Sequence, residues 1–347
     1  LTLAETPIHV AVIGAGAFGR NHARVYRQLE QAGEPVHLAA VADVDFARAA
    51  ALAHEFGPGV AAFSGLGQLL ADRRIQAASV TVPTVEHLKV AGPLMAGGIN
   101  VLIEKPLAAT LADADRLIRL AKEHGCLAQV GHLERFNPAV QATLPLVTRP
   151  MFFEVHRLSV FSPRSLDIDV VLDLMIHDLD IVLTLANSSV SEVRAVGLPI
   201  LSRQVDIANV RLEFESGCVA NLTASRVSTE KVRKLRFFQP RQYVSVDYSR
   251  QDVLVFTVAE EAAGKGNAVP GSPGSPIQMA KPAVQAREPL EAELRAFVAA
   301  VRRRSLPRVT LEDGRRALAL ALKIQAAMRE HSRKVDLDAL GAGRSSS

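Results

Sequence analysis

Tryptophan is absent from this chain of 347 residues, cysteine occurs only twice, and aromatic residues make up 5% of it. Cys126 and Cys218 lie in apolar contexts, so buried free thiols are expected rather than a disulfide. No apolar run is long enough to span a bilayer, and no membrane role is expected. An excess of one charge is lacking too: 40 basic residues face 36 acidic ones, for a net +4. The largest basic cluster, Arg302-Arg303-Arg304, ends a predicted helix, where cations suit the dipole. With the other basic residues scattered and no aromatic–basic module, nucleic-acid binding is not expected. What remains is 48% hydrophobic with mixed charge, the composition of an ordered globular protein. The length exceeds one comfortable core, so two domains are expected, in a cytoplasmic protein.

The first part of the chain alternates strand and helix. Strands are read at His9–Ile13, Val36–Ala42, Ala77–Val82, Asn100–Ile103 and Cys126–Val130. Helices run between them, as over Phe46–Phe56 and Leu111–His124. That order predicts an α/β fold with a doubly wound parallel sheet over residues 1–131. Residues 132–347 read differently. A strand at Met151–Val160 and a helix at Val170–Ala186 precede six β-type runs between Glu192 and Val258, with no helix among them. They predict an α+β domain with a mostly antiparallel sheet. Gly264–Pro276 reads as a mobile loop, Gly341–Ser347 as a frayed tail, and 288–330 as two amphipathic helices returning toward the first domain.

Gly14-Ala15-Gly16-Ala17-Phe18-Gly19 follows the first strand and opens a helix, the context a dinucleotide fingerprint requires. Gly14 permits the tight turn, Gly16 lets backbone approach a pyrophosphate, and Gly19 allows close packing of helix on strand. Ala17 and Phe18 stand at the helix start, whose free N–H groups meet the phosphates. Asp43 ends the second strand. A carboxylate there accepts hydrogen bonds from the adenosine ribose and repels an extra phosphate, which favours NAD over NADP. Asp45 is the better cap for the helix that follows. Arg20 is within reach of a phosphate and weakens that preference. Thr81 and Pro83, leaving the strand at Ala77–Val82, wall the nicotinamide side of the cleft or form an ordinary strand-to-helix turn.

Lys105 follows the strand Val101-Leu102-Ile103 and precedes Pro106. At that strand end it can donate to a substrate hydroxyl and stabilise the developing oxygen charge. Glu104, counted with Lys105 among the cofactor-side residues, points the other way on the strand or pairs with the lysine. Asp169, Asp173, His177 and Asp180 are spaced so that on an α-helix they share an arc of roughly 80°. The remaining positions of this helix are apolar, so that stripe must face a cleft or a partner. His177 has the range for a general base, and Asp173 can orient it. Asp169 reads rather as the helix cap, and Asp180 also as a partner for an arginine. The spacing also suits a metal, but hydride chemistry on NAD needs none and no metal is expected.

The glycine block, Glu104-Lys105-Pro106 and Asp173-x-x-x-His177 together resemble the Gfo/Idh/MocA family of sugar and polyol dehydrogenases. Glu288-Pro289-Leu290, opening the helix that returns to the first domain, extends the likeness to nearly the whole chain. The resemblance implies a Rossmann domain followed by an open-faced antiparallel sheet that often pairs subunits into dimers or tetramers. It also implies that Lys105, Asp173 and His177 are the catalytic set. A narrower likeness rests on Val130–Pro138, including His132, and on Ser162–Asp178. It is to members acting on a sugar nucleotide, and it counts His132 and Asp169 with the substrate site. Arg135, Arg157 and Arg164 suit a pyrophosphate, since arginine matches phosphate oxygens bidentately, and suit surface ion pairs equally well. A free sugar or polyol as substrate, or a non-catalytic NAD-responsive protein, stays open at this point.

Overall fold

A computed structural model describes residues 6–161, 168–258 and 276–335. The chain divides into two compact units. The first takes the described residues within 1–136 and 287–318, the second those within 137–286 and 319–347. The first unit therefore runs past the boundary expected at 131, to Phe136, and takes in helical residues from the far end of the chain.

In the first unit β1 (Ile8–Ile13), α1 (Ala17–Gln31), β2 (Val36–Ala42), α2 (Phe46–Phe56), β3 (Ala61–Phe63) and α3 (Leu66–Ala71) come first. They are followed by β4 (Ala77–Val80), α4 (His87–Ala96), β5 (Asn100–Glu104), α5 (Leu111–Glu123) and β6 (Ala128–Gly131). All six strands are parallel, in the order β3-β2-β1-β4-β5-β6. This is the doubly wound Rossmann arrangement. Its strands are continuous apolar runs because helices cover both faces; β1, β2, β4 and β5 are buried along almost their whole lengths. β3 and α3 were not foreseen. At three and six residues they carry too little periodic signal to be read.

The second unit contains α6 (Pro138–Thr143), β7 (Phe152–Val160) and α7 (Ile176–Ala186). β8 (Val190–Leu198), β9 (Ile207–Phe214), β10 (Val219–Ser228), β11 (Val232–Gln239), β12 (Gln242–Asp247), β13 (Asp252–Val258) and β14 (Ile277–Ala280) complete its sheet. The order is β14-β13-β12-β11-β7-β10-β9-β8, antiparallel throughout except where β7 lies parallel to β10. Burial alternates along these strands. In β9, Ala208, Val210, Leu212 and Phe214 turn inward, while Asn209 and Arg211 are exposed. One face is core and the other is open, as period-two patterning dictates. The open face carries a row of ring contacts, Phe152–Phe238, Phe238–Tyr243 and Tyr243–Phe256, with centroids 5.7, 4.9 and 5.5 Å apart.

The chain ends its described part with α8 (Pro289–Arg303) and α9 (Leu311–Lys334). α8 and α9 as far as Leu318 belong to the first unit. Leu294, Phe297 and Val298 of α8 join Ala23 and Tyr26 of α1 over Leu102 of β5 in one buried cluster. The readings at Arg164, most of Gly264–Pro276 and Gly341–Ser347 lie outside the described residues.

Candidate active site

The glycine loop is built by close approach. Gly14 has a φ of +100°, and a Cβ there would stand 2.8 Å from the Thr81 carbonyl oxygen. A Cβ on Gly19 would fall 1.8 Å from the Gly14 oxygen, so α1 sits on β1 as closely as backbone allows. Gly16 is exposed with open space around it, and so are Ala17 and Phe18, at the N-terminal end of α1. No side chain caps that end. Its N–H groups stay available for an anion. Open backbone at Gly16, a positive helix end and the carboxylate at the β2 tip together fit a dinucleotide.

Asp43 is that carboxylate. Its Oδ2 accepts the Ala15 N–H at 2.7 Å, inside the glycine block, and its Oδ1 accepts the Asp45 N–H at 2.9 Å. Asp45 caps α2, accepting from the Ala47 and Arg48 N–H groups. Arg20 is turned away to a bidentate contact with Glu55, at 2.9 and 2.5 Å. The Thr81 hydroxyl donates to the Ile13 and Gly14 carbonyls, 2.9 Å each, and so clamps the end of β4 to the glycine turn. Pro83 is exposed and starts a short 3-10 turn at Thr84–Glu86.

Lys105 is half-buried at the end of β5, before Pro106. Glu104 beside it is buried, and its Oε1 lies 2.9 Å from Nε2 of His22 on α1. The two residues therefore part company at the strand end: Glu104 anchors inward, as alternation along a strand requires. Room for that carboxylate comes from Gly131 on β6, where a Cβ would meet Glu104 Oε1 at 2.9 Å. His87 is buried and links two loops, with Nδ1 3.1 Å from the Leu107 oxygen and Nε2 3.1 Å from the Val82 oxygen. Burial lowers its pKa, against which the carbonyl contacts pull upward. Neither His22 nor His87 was singled out from the sequence. Glu104 lies 82 residues from His22, and Leu107 and Val82 lie 20 and 5 from His87; no local pattern marks such pairs.

In the second unit the segment with Asp173 and His177 is not one α-helix. Val171–Met175 forms a π-helical turn, and α7 starts only at Ile176. The arc computed at 3.6 residues per turn therefore does not hold across it. Asp173, in the π turn, and His177, in the first turn of α7, are half-buried, whereas Asp178 and Asp180 are buried. Asp169 caps this turn. Its Oδ1 accepts the Val171 and Leu172 N–H groups at 2.8 and 3.1 Å, and its other oxygen accepts from Gln325. The cap reading of Asp169 is the one the structure shows.

Arg157 is a correction to the surface reading. It is 2% exposed and pairs bidentately with Asp178, Nε to Oδ2 at 2.6 Å and Nη2 to Oδ1 at 2.9 Å, with its guanidinium 5.4 Å from the Tyr248 ring centre. It is not a surface ion-pair partner, because an inward-facing β7 position puts the guanidinium in the core. Arg135, in the first unit, lies 3.8 Å from Asp313. His132, at the end of β6, is 1% exposed. Cys126 and Cys218 are free thiols; burial raises both, Cys218 to about 11. Among the described residues no group of three or more His, Cys, Asp or Glu could hold a metal ion, and no helix is long and apolar enough to cross a membrane.

A six-stranded parallel sheet with this glycine loop, this carboxylate at the β2 tip and a lysine at the β5 tip defines an NAD-binding oxidoreductase. The profile described as the oxidoreductase family with an NAD-binding Rossmann fold matches residues 8–132, and that of the GFO/IDH/MocA C-terminal domain matches 155–242. The chain belongs to the GFO/IDH/MocA family. It is 36% identical over 322 residues to UDP-N-acetylglucosamine 3-dehydrogenase of Acidithiobacillus ferrooxidans, covering 92% of this chain and 97% of the relative. The solved structure of that enzyme superposes with a TM-score of 0.82 at 34% identity, over 93% and 98% of the two chains. Myo-inositol 2-dehydrogenase of Thermotoga maritima is 25% identical over 95% of this chain and 99% of its own. Levoglucosan dehydrogenase with NADH and levoglucosan shares the fold, with a TM-score of 0.81 at 17% identity over 94% and 98%. The protein is a dehydrogenase, and its cofactor is NAD.

Proposed function

We propose that this chain oxidises a ring hydroxyl of UDP-N-acetylglucosamine, or of a closely similar sugar nucleotide, to the ketone. The observation that carries this reading is the 36% identity to UDP-N-acetylglucosamine 3-dehydrogenase, which runs through both units and covers 97% of that enzyme. Bound NAD supplies the hydride acceptor. The glycine loop and Asp43 hold it by backbone N–H groups and ribose contacts. Oxidation of a secondary alcohol releases one hydroxyl proton and one hydride from the carbinol carbon. His177 or Lys105 takes the proton, Asp173 orients His177, and Lys105 stabilises the oxygen as its charge develops.

A free polyol is the second reading. It is favoured by the inositol dehydrogenases among the relatives and by the pairing of Arg157, an arginine suited to a diphosphate, with Asp178. Arg135 and His132 stay as substrate-side candidates. Incubating the protein with NAD and a panel of UDP-sugars and free polyols, and following NADH absorbance, separates the two. NADH formed with UDP-N-acetylglucosamine supports the first reading; NADH formed only with inositols or free sugars replaces it with the second.

The open face of the second unit's sheet, with its aromatic row, is the surface by which we expect subunits to pair into dimers or tetramers. A monomer by light scattering at micromolar concentration would refute that. Free thiols and NAD dependence suit a cytoplasmic enzyme.

A further inference from the structure

The face of the parallel sheet beneath α1 and α8 is apolar apart from one seam. Ser79 of β4, Glu104 of β5 and Gln129 of β6 lie on it, all buried; Ser79 and Gln129 both stand in register with Leu102, on the side that α1 and α8 cover. α1 contributes His22 and Tyr26, and α8 contributes Glu293. Two pairs in this seam satisfy each other. Tyr26 and Ser79 meet at 2.9 Å, and His22 meets Glu104 at 2.9 Å.

Glu293 has no such relation. It is 0% exposed, and neither carboxyl oxygen has a hydrogen-bonding protein group within reach. Both amide atoms of Gln129 and Nδ1 of His22 are in the same condition. Buried polar atoms are rarely left so, and a buried water satisfies two to four of them at once. Glu104 has the His22 ring as a partner at 2.9 Å, whereas Glu293 has no such partner. Burial first, and the Glu104 charge second, push the Glu293 carboxyl well above the usual range. Tyr26 of α1 and Glu104 of β5 lie within electrostatic reach of it, and the short 3-10 turn at Leu133–Phe136, which carries Glu134 and Arg135, packs on α8.

We propose that Glu293 is a positioning residue for Lys105. It is a neutral carboxylic acid that shares a buried water with Gln129 and the His22 ring. In this way it holds the Glu104–His22 pair, and with that pair the strand end from which Lys105 projects. The proposal rests on the reading that Lys105 meets the substrate hydroxyl.

The test compares Glu293→Gln and Glu293→Leu in the full chain by thermal unfolding across pH, NAD affinity by fluorescence quenching, and turnover of UDP-N-acetylglucosamine. A carboxyl that is neutral when folded and ionised when unfolded costs stability as pH rises past the ordinary glutamate range. Glu293→Gln should therefore match the wild type in Tm at acid pH and exceed it by a margin that grows with pH. Its kcat should stay within about threefold of wild type, whereas Glu293→Leu should lose about tenfold or more in kcat with NAD affinity unchanged. The proposal is overturned if Glu293→Leu keeps wild-type kcat, if Glu293→Gln falls as far as Glu293→Leu, or if the Tm margin does not grow with pH. Should Glu293→Leu fail to fold, the glutamine variant decides alone. Should no sugar support NADH formation, the function reading fails, and the pH series still decides the state of Glu293. Full turnover by Lys105→Met would sink the role of Lys105 instead.

Discussion

The two sheets of this protein place their chemistry in different ways. β1 to β6 are covered on both sides, so their faces hold core and their carboxyl ends hold Gly14, Asp43, Thr81 and Lys105. The sheet of the second unit leaves one face open, and its candidate residues Asp173 and His177 sit on a helix instead. A buried parallel sheet offers only its edge to a ligand. An open antiparallel one can give its faces to core and to partner surfaces. Two buried carboxyls make the same contrast in charge. Glu293 in the first unit has no donor nearby. Asp206 in the second, also 0% exposed, accepts the Ile200, Leu201 and Ser202 N–H groups at 2.8, 2.6 and 2.8 Å and the Ser202 hydroxyl at 2.7 Å.

The sharpest test of the contrast takes one residue from each unit. Lys105→Met and His177→Ala should each lower kcat by about two to four orders of magnitude with NAD affinity nearly intact, and Asp173→Asn should cost less. If His177→Ala turns over normally, the second unit supplies no base, and the chemistry belongs to the sheet edge alone.

Next in size is the Arg157–Asp178 pair. Asp178→Asn or Arg157→Met leaves a charge in the core without its main partner and should cost about 3–5 kcal/mol in unfolding free energy. Arg211→Ala, on the open face of β9, should stay within about 0.5 kcal/mol. Equal losses from chemical denaturation would mean that the two faces are not distinct in energy.

Acid stability comes third. Burial alone would raise Asp206, but the backbone and Ser202 donors outweigh it and bring the carboxyl below its ordinary 3.8. The sign follows directly: this stabilisation is present above 3.8 and is lost as pH falls through the lower folded value. Asp206→Asn should flatten the acid limb of Tm against pH, whereas Glu293→Gln acts in the opposite direction, as pH rises above the ordinary glutamate value. An unchanged acid limb would show that the donors around Asp206 do not act through its charge.

The smallest effect is in cofactor choice. Asp43→Ala should narrow the preference for NAD over NADP by about tenfold, the size of one hydrogen bond to a charged group. NADP binding as tight as NAD by the wild type would remove Asp43 from the ribose.

Much of the first unit was legible because its signals are local. β2 and α2 fall at Val36–Ala42 and Phe46–Phe56, as read, since an apolar run and a capped helix carry their own ends. Asp45 as a cap was legible for the same reason. The pairings were not. His22 with Glu104 and Arg157 with Asp178 join residues 82 and 21 apart, and only the fold brings them together. Nor was the π turn, because Val171–Met175 has the same composition as the helix it interrupts. The site residue most exposed to misreading was Arg157. Its charge suggests a surface, whereas its position on the inward face of β7 decides.

That π turn holds one residue more per turn than an α-helix would need. Deleting a single residue from Val171–Met175 would let the cap at Asp169 and the body of α7 persist as one regular helix. The extra residue is absorbed within that turn, so everything from Ile176 onward would keep nearly its rotation about the helix axis. His177 would keep its direction, and only the path between Asp169 and Ile176 would shorten. The turn thus takes up a one-residue difference in length locally, without re-aiming the imidazole.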